Sequence, residues 1–489
     1  MQRLKIVLTV PNNRWTEGDE SSFWHFVPYN LCMLASMIRD MCDVEILDAN
    51  FHNLSAEAFV EELKTRKPDV VGVTVLMDQF ANTGHKAAEL AHKALPGVKV
   101  VMGGVYTTMN PERAIADENV DMCVIGEGEY VMQDLVRYYQ GEGELPQKGI
   151  IFRKDGKVEN RGRSDFIQDL DALPLPAYDL IEFPEYCRNV SRATVDAPPE
   201  LPYAWLLTSR GCPMGCCFCQ VESIQGKKNR MRSAESVLNE LEWLKREYGI
   251  KSFVFMDDNL YVSRKRLMAI LDGMIERDLV MPWVSAGTAV FRLDEELLVK
   301  MKESGCRYIC VAIESGTERI LKEVIRKPVE YEHAKKMVKL AKSLGIYVGA
   351  NFIVGFPTET WQEIRQSIRF AEELDADYIK LFHAIPLRHT KLWELCEKHG
   401  AFKDNFDVDS LRWSDGQIAS DEFSNNDLTV LRAYEWDRIN FTDEAKLKRT
   451  ADMMHISVEE LNEIRRETRK NAHRNIWKDV DAAMHKVGI

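Results

Sequence analysis

Between residue 5 and about 140, short β-branched runs alternate with stretches of helical periodicity. The runs are Lys5 to Val10, Val44 to Asp48, Val70 to Leu76, Lys99 to Gly103 and Asp121 to Ile125; amphipathic stretches lie between them near 29–41, 55–66, 83–94, 111–118 and 128–139. Near-continuous apolar strands joined by crossover helices predict a parallel sheet covered on both faces. Five such units predict a flavodoxin-like, doubly wound α/β domain over residues 1–140, with ligands at the carboxyl ends of its strands. The pattern then breaks. Gly149 to Asn160 reads as a hairpin around Asp155-Gly156, and Leu173-Pro174-Leu175-Pro176 with Pro184, Pro198, Pro199 and Pro202 marks an extended linker, so 141–200 is a boundary region. The alternation resumes at Ala204 to Ser209, Ser252 to Asp257, Trp283 to Ala289, Tyr308 to Glu314, Val348 to Gly355 and Tyr378 to Ala384, each followed by a helical pattern. Six βα units predict a partial (β/α)6 TIM-type barrel over 201–400, with chemistry at the C-terminal strand ends. Residues 401–489, with Trp413, Trp436, Trp477 and the charged stretch Ser457 to Lys470, read as a mostly helical C-terminal cap.

Composition narrows the class of ligand. The 489 residues include 64 basic and 77 acidic side chains, a net charge of −13, with 45% hydrophobic and 29% charged residues. That is an ordinary globular composition, and its acidity weighs against a nucleic-acid partner or an anionic membrane patch. A small-molecule substrate is expected. No apolar run approaches the roughly 18 residues needed to cross a bilayer. Met1 to Leu8 lead into the first strand without the apolar core of a signal peptide. The expectation is a cytoplasmic protein with no membrane span, where eleven cysteines would not form a disulfide framework.

Seven cysteines are scattered, at 32, 42, 123, 187, 306, 310 and 396, and four cluster in Cys212-Pro213-Met214-Gly215-Cys216-Cys217-Phe218-Cys219. Cys212, Cys216 and Cys219 form C-x-x-x-C-x-x-C directly after the first barrel strand. A structural zinc site closes with four protein ligands at paired spacings, and no second pair follows. Three thiolates fit a [4Fe-4S] cluster with one iron left open. Cys217, at the wrong spacing, is expected to be a spare buried thiol.

With this loop and its aromatic Phe218, the chain resembles the radical S-adenosylmethionine (SAM) superfamily. The resemblance implies that the open iron chelates SAM, and that one-electron reduction yields methionine and a 5′-deoxyadenosyl radical. It carries over to other strand ends: Asp257 and Asp258 for the methionyl amine, Glu314 and Ser315 for ribose and carboxylate, and Gly355 for the adenine. In Gly355-Phe356-Pro357-Thr358-Glu359 the glutamate stands one residue further from the glycine than in the general superfamily motif. Arg292, after strand three, could pair with a carboxylate or lie on the surface. His383, after strand six, could contact substrate or pack in the core.

The segments Pro28 to Asp48, Val101-Met102-Gly103-Gly104-Val105-Tyr106 and Val124-Ile125-Gly126-Glu127-Gly128-Glu129 are similar to the cobalamin-binding domain of one large radical SAM subclass. That subclass includes the anaerobic magnesium-protoporphyrin ester cyclases and many methylases. Gly103, Gly104, Gly126, Glu127 and Gly128 are the implied cobalamin contacts, although tight turns and a helix start would also explain them. The loop Pro11 to Gly18 lacks the histidine that many cobalamin domains offer to cobalt, as the radical subclass generally does. The resemblance implies [4Fe-4S], SAM and cobalamin as cofactors, an electron donor such as flavodoxin or ferredoxin, and C-methylation of a small molecule in an anaerobic cytoplasm. The rivals are a radical cyclase, oxidase or carbon–carbon coupling enzyme of the same architecture, and a methylthiotransferase, whose three further cluster cysteines and basic RNA-binding tail are not evident here.

Overall fold

The computed structural model describes residues 3–16, 26–189 and 199–486. It divides the chain into two compact units: Met1–Val190 with Ser223–Gly226 and Asp407–Leu411, and Ser191–Glu222 with Lys227–Phe406 and Arg412–Ile489.

In the first unit, β1 (Lys5–Val10), β2 (Asp43–Asp48), β3 (Val70–Thr74), β4 (Lys99–Gly103) and β5 (Met122–Val124) form a parallel sheet in the order 2-1-3-4-5. This is the doubly wound order expected from the sequence. Buried Val7, Val71, Val73 and Val100 meet the apolar faces of the crossover helices in one core. The helix Ala56–Arg66 starts where Ser55 accepts from the Ala58 amide at 3.1 Å and ends at left-handed Lys67. The hairpin of β6 (Ile150–Lys154) and β7 (Lys157–Asn160) extends this sheet, β6 running antiparallel to β5. Beyond it, Tyr186 donates from its hydroxyl to Asp48 Oδ2 at 2.7 Å and stacks on Phe51, which ties the proline-rich stretch to the end of β2.

The second unit holds a six-stranded, all-parallel sheet in the order β8 (Tyr203–Leu206), β11 (Ser252–Phe255), β12 (Trp283–Thr288), β13 (Cys306–Glu314), β14 (Tyr347–Val354), β15 (Tyr378–His383). Its strands are neighbours in chain order with a helix after each, the partial-barrel pattern. The first strand is shorter than its sequence pattern: Ser209–Arg210 (β9) leaves the sheet and pairs antiparallel with Arg230–Met231 (β10). That two-stranded ribbon brackets residues 211–229, the segment containing the cysteine loop.

The far edge of the sheet is covered. Asn440, in the helix Asn425–Asn440, accepts from the Ile379 amide at 2.6 Å and donates to the Ile379 carbonyl at 2.8 Å. The Ile379 amide and carbonyl on this edge strand are thus satisfied instead of offered to another chain. Helices Glu444–Met454 and Val458–Lys486 complete a tail that is helical, as its sequence predicted. No helix among the described residues is long and apolar enough to cross a membrane.

Candidate functional site

The cysteine loop is pinned to the carboxyl ends of several strands at once. Asp258, just past β11, accepts from the Gly211 amide at 2.9 Å. Asn259 Nδ2 lies 3.7 Å from Cys212 Sγ as a donor to it. The Leu392 amide, beyond β15, donates to the Cys217 carbonyl at 2.8 Å. The ring of Phe218 lies 6.5 Å from that of Phe356, beside Gly355 at the end of β14. Within the loop, Gly215 takes a left-handed φ of 63° and the Cys219 amide bonds the Cys216 carbonyl at 3.1 Å. Tight local turning of this kind brings side chains three and four apart in sequence to one side.

Cys212, Cys216 and Cys219 are half-buried, whereas Cys217 and the seven scattered cysteines are buried. Burial pushes the Cys216 thiol up to about 11 and the Cys219 thiol up to about 12. Such thiols stay protonated until a metal displaces the proton. Among the described residues no three His, Cys, Asp or Glu side chains converge as the ligands of one ion would. In a cubane cluster each thiolate binds its own iron, so the donor set of three separate sulfurs, one already accepting an amide hydrogen bond, fits that group.

The other positions expected around SAM divide into two kinds. Asp257 accepts at Oδ1 from Thr208 Oγ1 at 2.7 Å and Ser209 Oγ at 2.5 Å, while its Oδ2 is buried with no partner. Burial raises its carboxyl above the ordinary carboxylate range. Gly355 has a φ of 88°, and a β-carbon there would collide with Leu428. Its amide and that of Phe356 donate to Glu359 Oε2 at 2.7 and 3.1 Å, so the additional residue in this motif still leaves the glutamate closing the turn. At the active end Asp257 thus keeps a buried, unpartnered oxygen, and Gly355 a tightly packed turn.

Glu314 and Ser315 already have partners, and Arg292 lies at the surface. Glu314 is buried at a strained φ of 74°, and its Oε1 accepts from Lys327 Nζ at 2.7 Å. Ser315 Oγ lies 3.1 Å from Ser367 Oγ and 3.2 Å from Thr317 Oγ1 in a buried hydroxyl network. Arg292 is exposed, with its guanidinium 5.9 Å from the Phe291 ring and no ion pair among the described residues. His383 is a core residue: Nε2 lies 3.0 Å from the Leu428 carbonyl, and burial pushes its pKa down to about 3.

In the front unit the glycines also differ from one another. A β-carbon at Gly103 would meet nothing within 4 Å, which leaves room for a flat ligand at the end of β4. Gly104, with a φ of 103°, has no such room, because a β-carbon would run into the Val75 carbonyl. Gly126 has a φ of 96° and is packed against Ser164 and Arg163. Glu127 Oε2 accepts from the Ile167 amide at 2.6 Å. Gly128 precedes the helix Glu129–Tyr139 and would place a β-carbon 3.4 Å from Leu34. The Gly126-Glu127-Gly128 turn thus holds the following linker, and Gly103 is the position that fits a cobalamin cradle.

Two residues of this site carry little sequence signal. Lys327 follows the π-helical turn Ile320–Ile325 and left-handed Arg326, and its ammonium pulls the Cys216 thiol down against the larger effect of burial. Asn259 caps its own turn by accepting from the Tyr261 amide at 3.1 Å, which is what an isolated Asn suggests; its reach to Cys212 is visible only in three dimensions.

A parallel half-barrel whose first strand feeds a three-thiol loop, behind a doubly wound domain, defines a class of two-domain radical enzymes. Residues 206–371 match the radical SAM superfamily and residues 24–136 match the B12-binding domain. The chain is 34% identical over 403 residues to an uncharacterized methyltransferase of Pyrococcus horikoshii, covering 81% of this chain and 83% of that one. It is 31% identical to the cytidylyl-2-hydroxyethylphosphonate methyltransferase of Streptomyces wedmorensis, covering 71% and 70%. The radical SAM methyltransferase TsrM of Kitasatospora setae, solved with cobalamin and a [4Fe-4S] cluster, shares the fold at a TM-score of 0.66, with 20% identity and coverage of 82% and 76%. The chain belongs to the radical SAM superfamily and carries a B12-binding domain ahead of its radical SAM domain. Its cofactors are those of that pairing: a [4Fe-4S] cluster, SAM and cobalamin.

Proposed function

We propose that this enzyme methylates an unactivated carbon of a small molecule. One observation carries the reading: a three-thiol barrel and a B12-binding domain occur in a single chain that aligns over 81% of its length with a relative named as a methyltransferase. When bound, the reduced cluster supplies the electron that cleaves SAM to methionine and a 5′-deoxyadenosyl radical, and cobalamin carries the methyl group.

The chain's own residues position these groups. Cys212, Cys216 and Cys219 are the cluster ligands, with the Asn259 amide supporting Cys212. Asp257 Oδ2 and the adjacent Asp258 take the ammonium of SAM, and the turn at Gly355, with Phe218 alongside, lies by its adenine. Lys327 holds Glu314 facing the cysteine loop, ready for a ribose hydroxyl. Gly103 lies against cobalamin in the front domain. A flavodoxin or ferredoxin delivers the electron.

Anaerobic incubation of the reconstituted enzyme with SAM, a low-potential reductant and a small-molecule extract of the producing cells should yield S-adenosylhomocysteine and 5′-deoxyadenosine in similar amounts. One equivalent marks the methyl donor and the other the hydrogen abstraction. 5′-Deoxyadenosine alone would point to the cyclase or oxidase reading; neither product would end the proposal.

A further inference from the structure

The segment bearing the cysteine loop leaves the barrel and returns to it through one neck. Thr208 and Arg232 stand just outside the β9–β10 pairing, and the Arg232 amide donates to the Thr208 carbonyl at 3.0 Å. Two helices grip this neck. From the helix Arg264–Glu276, Arg266 donates from Nε to the Arg232 carbonyl at 2.6 Å and from Nη2 to the Thr208 carbonyl at 2.7 Å, so one guanidinium spans both arms. Arg232 in turn donates to the Leu207 carbonyl at 3.3 Å and to Glu240, which is fully buried in the helix Ala234–Tyr248. A guanidinium is a rigid fork of donors, so it fixes the spacing of two acceptors in a way that a single flexible ammonium does not.

The same neck carries the hydroxyls that aim Asp257. Thr208 Oγ1 and Ser209 Oγ both donate to Asp257 Oδ1, and both residues are buried. With Oδ1 claimed by these two donors, the unpartnered Oδ2 is the oxygen left for a ligand. Burial pushes this carboxyl up, the two hydroxyls pull it down, and the charge of Arg266 pulls in the same direction as the hydroxyls. Arg266 therefore acts on Asp257 twice, through the backbone that carries both hydroxyls and through its positive charge.

We propose that Arg266 is a positioning residue for SAM: it locks the neck of the cysteine loop so that Asp257 presents Oδ2 to the SAM ammonium. The role rests on the reading in which Asp257 takes that ammonium. Equilibrium dialysis of SAM against the anaerobically reconstituted full-length enzyme, without reductant so that SAM is not cleaved, tests it in a cycle of Arg266→Met, Asp257→Asn and the double variant. Iron and sulfide should stay at wild-type content in all three, because Cys212, Cys216 and Cys219 are untouched. Arg266→Met should bind SAM about tenfold more weakly, the scale of a charge-assisted hydrogen bond, and Arg266→Lys should recover most of that loss. Because Arg266 acts through Asp257, the double variant should bind no more weakly than Asp257→Asn alone. In reductant-driven turnover Arg266→Met should raise the KM for SAM about tenfold and leave kcat within about twofold of wild type. If Arg266→Met is insoluble, Arg266→Gln, which keeps an amide donor without the charge, carries the same expectation. Losses that add in the double variant, unchanged SAM affinity in Arg266→Met, Arg266→Lys no better than Arg266→Met, or iron lost from Arg266→Met would overturn the proposal. Weak SAM binding by Asp257→Asn with normal binding by Arg266→Met removes the positioning role alone. Normal binding by Asp257→Asn removes the Asp257 assignment on which that role rests.

Discussion

Glu359 shows how one residue can join the architecture of the site to the pH dependence of the fold. Its Oε2 receives two backbone amides, but Oε1 is buried with no partner, and burial pushes the carboxyl up to about 8. A carboxyl whose pKa rises on folding holds a proton that the unfolded chain has released. Its contribution to stability is therefore complete below the unfolded value, near 4.3, and is lost as pH climbs toward the folded one. Glu359→Gln keeps an acceptor for both amides without the ionisation. In urea unfolding, wild type should lose stability relative to this variant as pH rises from about 5 to 8, by on the order of 2 kcal/mol. A gap that stays constant with pH would refute the assignment. The residue scale is also where sequence reading had uneven reach. Cysteine spacing is a local property, so the three-thiol loop stood out in the sequence as a candidate, whereas the pairing of Glu314 with Lys327 depends on a π-helical turn that returns the chain to the end of β13, and no local pattern marks it.

At the scale of elements, periodicity recovered both sheets because strand and helix patterns depend on burial that repeats along the chain. It did less well where an element ends. The first barrel strand reads as continuous to Ser209, yet it stops at Leu206 because the next residues bind Asp257 and pair with β10. The hairpin at 150–160 was visible from its turn, but not its docking on β5, which needs a partner strand distant in sequence. The turn after β4 separates scaffold from site within two residues. Gly104→Ala places a side chain at a φ of 103° against the Val75 carbonyl. It should destabilise the protein by about 2–3 kcal/mol, a large drop in thermal midpoint. Gly103→Ala adds its methyl to open space, so the midpoint should move by less than about 0.5 kcal/mol in stability while cobalamin uptake, read by its visible absorption, falls. Full cobalamin occupancy in Gly103→Ala would remove that glycine from the cradle.

For the whole molecule, the division of labour follows from where the proposed cofactor positions lie. Gly103 belongs to the compact unit spanning Met1–Val190, and Cys212, Cys216 and Cys219 to the unit containing Ser191–Glu222. The two sets share no residue, and each is framed by its own parallel sheet with its own core. Loading of the two metal cofactors should therefore be separable. A variant with Cys212, Cys216 and Cys219 all changed to alanine should lose its iron and sulfide and all SAM cleavage, yet retain cobalamin at wild-type occupancy. The control is the neighbouring thiol: Cys217 is buried, contributes its carbonyl to the Leu392 amide and stands outside the C-x-x-x-C-x-x-C spacing, so Cys217→Ala should keep both cofactors. Iron, sulfide and cobalt analysis of the anaerobically purified proteins reads all of this at once. Loss of cobalt together with iron in the triple variant would mean that the two units load their cofactors as one, and iron lost from Cys217→Ala would place the wrong thiols around the cluster.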